Sequence, residues 1–87
     1  EYAGIHIVNE EDLDSNRHTN NCRYLTMAEN CIDRQGNTVI VNYVMETRLG
    51  DEIRLYKEEG AGGSFVEGRK ADENGVEEKV FEVYFGD

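Results

Sequence analysis

One apolar stripe constrains this chain more than any other feature. Tyr24, Met27, Ala28, Cys31 and Ile32 recur at i, i+3, i+4, i+7 and i+8, the spacing that lines one side of an α-helix. The spacing predicts a helix over residues 21–34. Asn20, Asn21 or Thr19 can cap its start, since each carries an oxygen for the orphan N–H groups of the first turn. Gly36 stands where a helix-terminating residue is wanted. The rest of the chain reads as strand. Residues 2–8 alternate loosely through Ile5, Ile7 and Val8. Residues 38–48 are long and rich in β-branched side chains. A turn at residues 49–51 leads to a strand over 53–58, and a glycine-rich turn or bulge follows at residues 60–63. Strands over 64–71 and 76–85 are joined by Asp72-Glu73-Asn74-Gly75, where Asn-Gly is a strong hairpin signal. One helix cannot bury its stripe alone. The economical solution is an α+β arrangement in which a curved antiparallel sheet wraps the helix. The sheet edges that remain invite pairing with a second domain or a second copy.

Composition removes several classes of function. With 87 residues the chain suits one domain. Nine basic and nineteen acidic residues give a net charge of −10. Both halves are acidic and no basic stripe exists, so nucleic acid is excluded as a partner, because phosphate binding needs Lys and Arg to displace counterions. No apolar run approaches the roughly 20 residues that span a bilayer, so no membrane partner is expected. The first residues carry neither a basic region nor an apolar signal segment, and there is no initiator Met, so the chain is expected to be part of something longer. On a shared helix Cys22 and Cys31 would face about 180° apart. They read as free thiols in a reducing, cytoplasmic setting. His6 and His18 do not form a finger-like spacing with them, and no metal or other cofactor is expected.

The polar stretch before the helix concentrates chemistry. Residues 9–21 contain no apolar side chain except Leu13, and a loop of this length inside a small domain is more often functional than not. Asp14, Asn16 and His18 alternate, so an extended backbone would place a carboxylate, an amide and an imidazole on one side. The helix start just beyond His18 offers free N–H groups and a partial positive charge. Those are the parts of an acyl-transfer site: a group to hold or deprotonate water, and donors for a developing oxyanion. The plainer alternative is that these side chains are caps and turn formers. Glu46 by itself reads as a solvent-facing strand residue, and Tyr24 as core packing. The Gly60–Gly63 run lacks the Lys and helix context of a phosphate loop.

The run Asp14-Ser15-Asn16-Arg17-His18-Thr19-Asn20-Asn21-Cys22-Arg23-Tyr24 resembles the D-x-N-x-H-x-N-N-x-x-Y signature of acyl-acyl carrier protein thioesterases, members of the hotdog-fold superfamily. Asn42-Tyr43-Val44-Met45-Glu46 is similar to an aromatic-containing family strand that ends in glutamate. Leu49-Gly50-Asp51-Glu52-Ile53 is similar to the turn that follows it. The resemblance implies a hotdog fold, with a five-stranded antiparallel sheet around one helix. It also implies that residues 1–87 are the C-terminal half of a tandem-hotdog enzyme.

Carried over, the catalytic group is Asp14, Asn16, His18 and Glu46. Asn16, His18 and Glu46 would hold the attacking water, Glu46 or His18 would take its proton, and Asp14 would orient Asn16 or the loop. Asn20, Asn21 and Tyr24 would bind substrate, the amides near Asn20 and Asn21 receiving the carbonyl oxygen. Some accounts of the family place a nucleophilic cysteine beside the glutamate, and here that position is Thr47. The implied substrate is a fatty acyl thioester of acyl carrier protein. The alternatives are a stand-alone dimeric acyl-CoA thioesterase and a non-catalytic hotdog module. A hotdog hydratase motif carries a proline, and this chain has none. The −10 charge opposes docking of an acidic carrier protein on this domain alone.

Overall fold

The computed structural model describes residues 1–32 and 37–86. The elements run β1 (Tyr2–Ile7), a 3₁₀ turn at Glu10–Asp12, α1 (Asn21–Glu29), β2 (Thr38–Tyr43), β3 (Glu52–Gly60), β4 (Gly63–Ala71) and β5 (Glu77–Gly86). The five strands form one sheet of order β1-β3-β4-β5-β2, and every neighbouring pair is antiparallel. The expected α+β arrangement of one helix and a five-stranded antiparallel sheet is therefore present.

The helix starts where the caps allow. Asn20 is extended and its side chain accepts the Cys22 N–H, which makes it the N-cap. The helix ends at Glu29, short of the predicted residue 34. Cys31 and Ile32 donate to Ala28 and Glu29, three residues back, so the chain tightens into a turn after Asn30. That turn still delivers Ile32 to the core, which is why the stripe outlasts the helix. The predicted end at residue 34 and the stop at Gly36 lie outside the described residues.

The core gathers Tyr24, Met27, Ala28 and Ile32 with Val8, Ile53, Leu55, Val66, Val80, Phe81, Val83 and Phe85. Burial of each large apolar side chain contributes roughly 1.5–3 kcal/mol. Tyr24 stacks on Phe81, with ring centroids 5.0 Å apart and planes 14° from parallel. Gly68 faces Phe81 across the β4–β5 ladder, and a Cβ there would run into the Phe81 ring. The missing side chain makes room for the Tyr24–Phe81 stack.

One irregularity in β5 directs the chain toward the loop before α1. The register shifts between Gly68 and Arg69, which pair with Phe81 and Lys79 and leave Val80 as the extra residue of a bulge. The bulge lets consecutive Val80 and Phe81 both be buried. The Val80 carbonyl accepts the N–H groups of both Val44 and Met45. The strand expected over residues 38–48 therefore ends at Tyr43, opposite Phe81. Residues 44–47 turn off the ladder, and Arg48 pairs instead with His18.

Candidate functional site

The loop between β1 and α1 is folded rather than extended. Asn9 and Asp12 cap the 3₁₀ turn reciprocally: the Asn9 side chain accepts the Glu11 N–H, and Asp12 Oδ2 accepts the Asn9 N–H at 3.0 Å. Leu13 then bridges to Thr19. Within that closure, Asp14 Oδ1 accepts the N–H groups of Asn16 at 2.9 Å and His18 at 3.2 Å, an Asx turn. The Asp14 N–H donates to the His18 carbonyl at 2.8 Å. Arg17 takes φ = 66°, a left-handed conformation that costs a non-glycine residue about 1–2 kcal/mol. Its guanidinium grips Glu10 with two hydrogen bonds of 2.8 and 3.0 Å. The alternation of Asp14, Asn16 and His18 thus encodes a turn. Asp14 works through the backbone, and Asn16 lies exposed at the tip.

The loop meets the segment after β2 through a second set of bonds. His18 bridges to Arg48, and the Thr19 N–H donates to the Thr47 carbonyl at 2.8 Å. Beneath that contact the Thr19 and Thr47 hydroxyls are 2.6 Å apart, and the Tyr24 hydroxyl lies 2.8 Å from the Thr47 hydroxyl. Thr47 is fully buried and Thr19 nearly so. Burial pushes the Tyr24 phenol above its ordinary pKa, against the opposing pull of its bonds to Thr47 and Thr19. Three hydroxyls on three segments satisfy one another out of water, which fixes the spacing of their neighbours.

Those neighbours are His18 and Glu46. His18 Nδ1 lies 3.3 Å from Glu46 Oε2, with the imidazole 27% and the carboxylate 72% exposed. Of the expected group, His18 and Glu46 meet directly and Asp14 supports His18 from behind. Among the described residues no hydrogen bond joins the Asn16 amide to either. Asn20 serves as N-cap, and its own N–H is taken by the Asp12 carbonyl at 2.7 Å. The exposed Asn21 begins the helix. Tyr24 is 1% exposed and belongs to the core. Burial raises the Cys31 thiol pKa, with Lys57 opposing weakly, and Cys22 is free and exposed.

Sequence reasoning gave His6 no catalytic role, and it joined neither His6 to Asp12 nor the three hydroxyls to one another. His6 Nε2 lies 2.7 Å from Asp12 Oδ2, and the Asp12 side chain is only 7% exposed. Burial works against its charge, but the Asn9 amide, the His6 hydrogen bond and the His6 and Arg23 charges overcome it, so the carboxyl sits below its usual pKa. Asp12 stands two residues before the signature, and that adjacency was the signal available. A cleft of about 720 Å³ between β1 and α1 is lined by His6, Asp12, Arg23, Met27 and Leu55 among others, and by neither His18 nor Glu46. Among the described residues no three His, Cys, Asp or Glu side chains converge as metal ligands would. Among the described residues no helix is long and apolar enough to cross a membrane.

The acyl-ACP thioesterase C-terminal domain family matches residues 5–85. The chain belongs to this family. No curated protein matches it. A solved structure described as a probable thioesterase from Escherichia coli, YbaW, superposes with a TM-score of 0.67 at 15% identity, covering 94% of this chain and 77% of that one. That likeness shows a shared fold, and the fold is the hotdog: α1 packs on one face of the five-stranded sheet. This thioesterase domain places its signature at the start of α1, and Glu46 comes to it from the far edge of the sheet.

Proposed function

We propose that this hotdog domain hydrolyses fatty acyl thioesters of acyl carrier protein, releasing the free acid. The contact between His18 Nδ1 and Glu46 Oε2, inside a chain that the thioesterase family matches over residues 5–85, carries this reading. Glu46 holds the Nδ1 proton and leaves the His18 Nε2 lone pair to accept a proton from water. At 3.3 Å the pair is loose, and such contacts tighten when substrate excludes solvent. The hydroxide equivalent adds to the thioester carbonyl. The N–H groups at Asn21 and the partial positive charge of the helix start receive the oxyanion. Collapse expels the thiolate, which takes the proton from His18. Asn16, at the loop tip, positions the water, and Asp14 sets the loop. Thr47 occupies the place of a nucleophilic cysteine but is buried with its hydroxyl engaged, which favours direct attack by water.

The domain works paired, with a second hotdog domain of the same protein or as a homodimer, in the cytoplasm. Edge strand β2 supports this. Val39 and Tyr43 share the helix-side face with Phe85 and Phe81 yet are 46% and 42% exposed. A second domain would cover them and wall the acyl chain. A stand-alone acyl-CoA thioesterase dimer would use the same edge. The −10 charge repels both carrier protein and CoA, so a second domain would supply the basic docking surface. Turnover of one acyl chain presented on carrier protein and on CoA tests the choice. Preference for the carrier thioester supports the proposal, and equal or better use of CoA overturns it.

A further inference from the structure

We propose that Asp12 is a positioning residue for this site, gripped by His6 from β1 so that the loop carrying His18 is held against Glu46; the inference rests on His18 and Glu46 being the reactive pair. Asp12 is the point where three elements meet. Oδ2 binds His6 on β1 at 2.7 Å and the Asn9 N–H at 3.0 Å. Oδ1 lies 3.7 Å from Arg23 Nε in the first turns of α1. The Asp12 carbonyl takes the Asn20 N–H at 2.7 Å, at the cap of that helix. His18 therefore sits inside a loop closed at its base by Asp12–Asn20 and Leu13–Thr19. Thr47 holds the loop on one side and Asp12 ties it to β1 on the other.

Capping alone does not account for this arrangement. The 3₁₀ turn needs one oxygen for the Asn9 N–H, and asparagine would supply it. A carboxylate at 7% exposure is costly unless hydrogen-bond donors or cations face it, and the His6 ring and the Arg23 guanidinium do so from two different elements. The charge is spent on joining β1 to α1 across the base of the loop. A shift of about 1 Å in a reacting group can cost on the order of 10²-fold in rate.

The test compares Asp12→Asn, which keeps the cap and loses the charge, with His6→Leu and His6→Gln, where the Gln amide can still donate to Asp12. Acyl thioester turnover is measured together with the ring signals of histidine in ¹H–¹³C spectra. The chain has two histidines, so His6→Leu leaves the His18 signal alone. Asp12→Asn and His6→Leu should lower kcat by about tenfold or more with KM within about twofold, and His6→Gln should restore most of it. The His18 ring signal should move in the first two variants and return in the third. If Asp12→Asn fails to fold, the His6 pair carries the test, since His6 lies on an edge strand. An unchanged His18 signal and kcat in a folded Asp12→Asn or His6→Leu protein overturns the proposal, as does failure of His6→Gln to rescue. His18→Ala is the separate control. Full turnover in His18→Ala removes the reading of the site, and the His18 spectrum then decides the positioning role by itself.

Discussion

His18 and Glu46 come within 3.3 Å although one precedes the helix and the other follows the edge strand beyond it. Neither element aims at the other by local preference. The Val80 bulge turns residues 44–47 off the ladder, and the Thr19–Thr47 contacts receive them. The pair is thus set by backbone bonds and a buried hydroxyl cluster, with little contribution from its own exposed 3.3 Å contact.

Removing either partner should abolish the chemistry and spare the fold. In the full protein, His18→Ala and Glu46→Gln should each lower thioester hydrolysis by about 10²–10⁴-fold. Circular dichroism and the unfolding midpoint should stay near those of the parent, because both side chains are partly or largely exposed. Parental rates in both variants would remove the site assignment.

Thr47→Val should lose more stability than its size suggests. It keeps the shape but takes the partner from the buried Thr19 hydroxyl and leaves the Tyr24 hydroxyl only its long 3.4 Å bond to the Met45 carbonyl, at a cost of about 1–3 kcal/mol. Tyr24→Phe in the Thr47→Val background should then cost less than in the parent, since the Tyr24 hydroxyl has already lost its bond to Thr47. Urea unfolding of the four proteins measures the coupling, and strict additivity would show that the hydroxyls do not act together.

Gly68→Ala should destabilise by about 1–3 kcal/mol through overpacking. The new methyl would displace the Phe81 ring and with it the Tyr24 stack. Thermal unfolding checks it, and a neutral result would mean that Phe81 finds another place at no cost.

Acid stability should follow Asp12. Its carboxyl pKa in the fold lies below its ordinary value, which is about 3.9 in an unfolded chain. The unfolded chain therefore takes up the proton first as pH falls. The stabilisation is complete above about pH 5 and is lost as pH drops through the depressed folded value. Asp12→Asn should lower the urea midpoint at pH 7 and flatten its decline between about pH 5 and pH 3. A parallel decline in parent and variant would show that Asp12 gains nothing from its partners. Glu77 and Glu82, also held low by their hydrogen bonds to Tyr56 and Lys79 first, contribute equally to both proteins.

Edge strand β2 offers the last test. Val39→Lys puts a charge among the half-exposed residues on the helix side of β2 and should weaken self-association by about tenfold or more. Sedimentation over a concentration series reads it. A parent that stays monomeric at high concentration would argue against pairing through this edge.

The sequence by itself determined the order of elements, the start of the helix and the residues of its buried stripe. These depend on neighbours: Asn20 caps the turn beside it, the stripe follows helical spacing, and Gly75, at φ = 82°, supplies the hairpin conformation that Asn-Gly announces. It also marked the loop that bears His18. Only the tertiary structure decided where that loop points. The alternation of Asp14, Asn16 and His18 resembles extended chain, but the Asp14 carboxylate bonds to backbone two and four residues on and folds it into a turn. The β-branched run over residues 38–48 resembles one strand, but the Val80 carbonyl, which is remote in sequence, takes two of its N–H groups and ends it at Tyr43. His6 and Asp12 carry no pattern that joins them until β1 and the 3₁₀ turn fold against α1. Local spacing encodes conformational preference and burial; which backbone groups pair across the chain depends on partners that become neighbours only in the folded state.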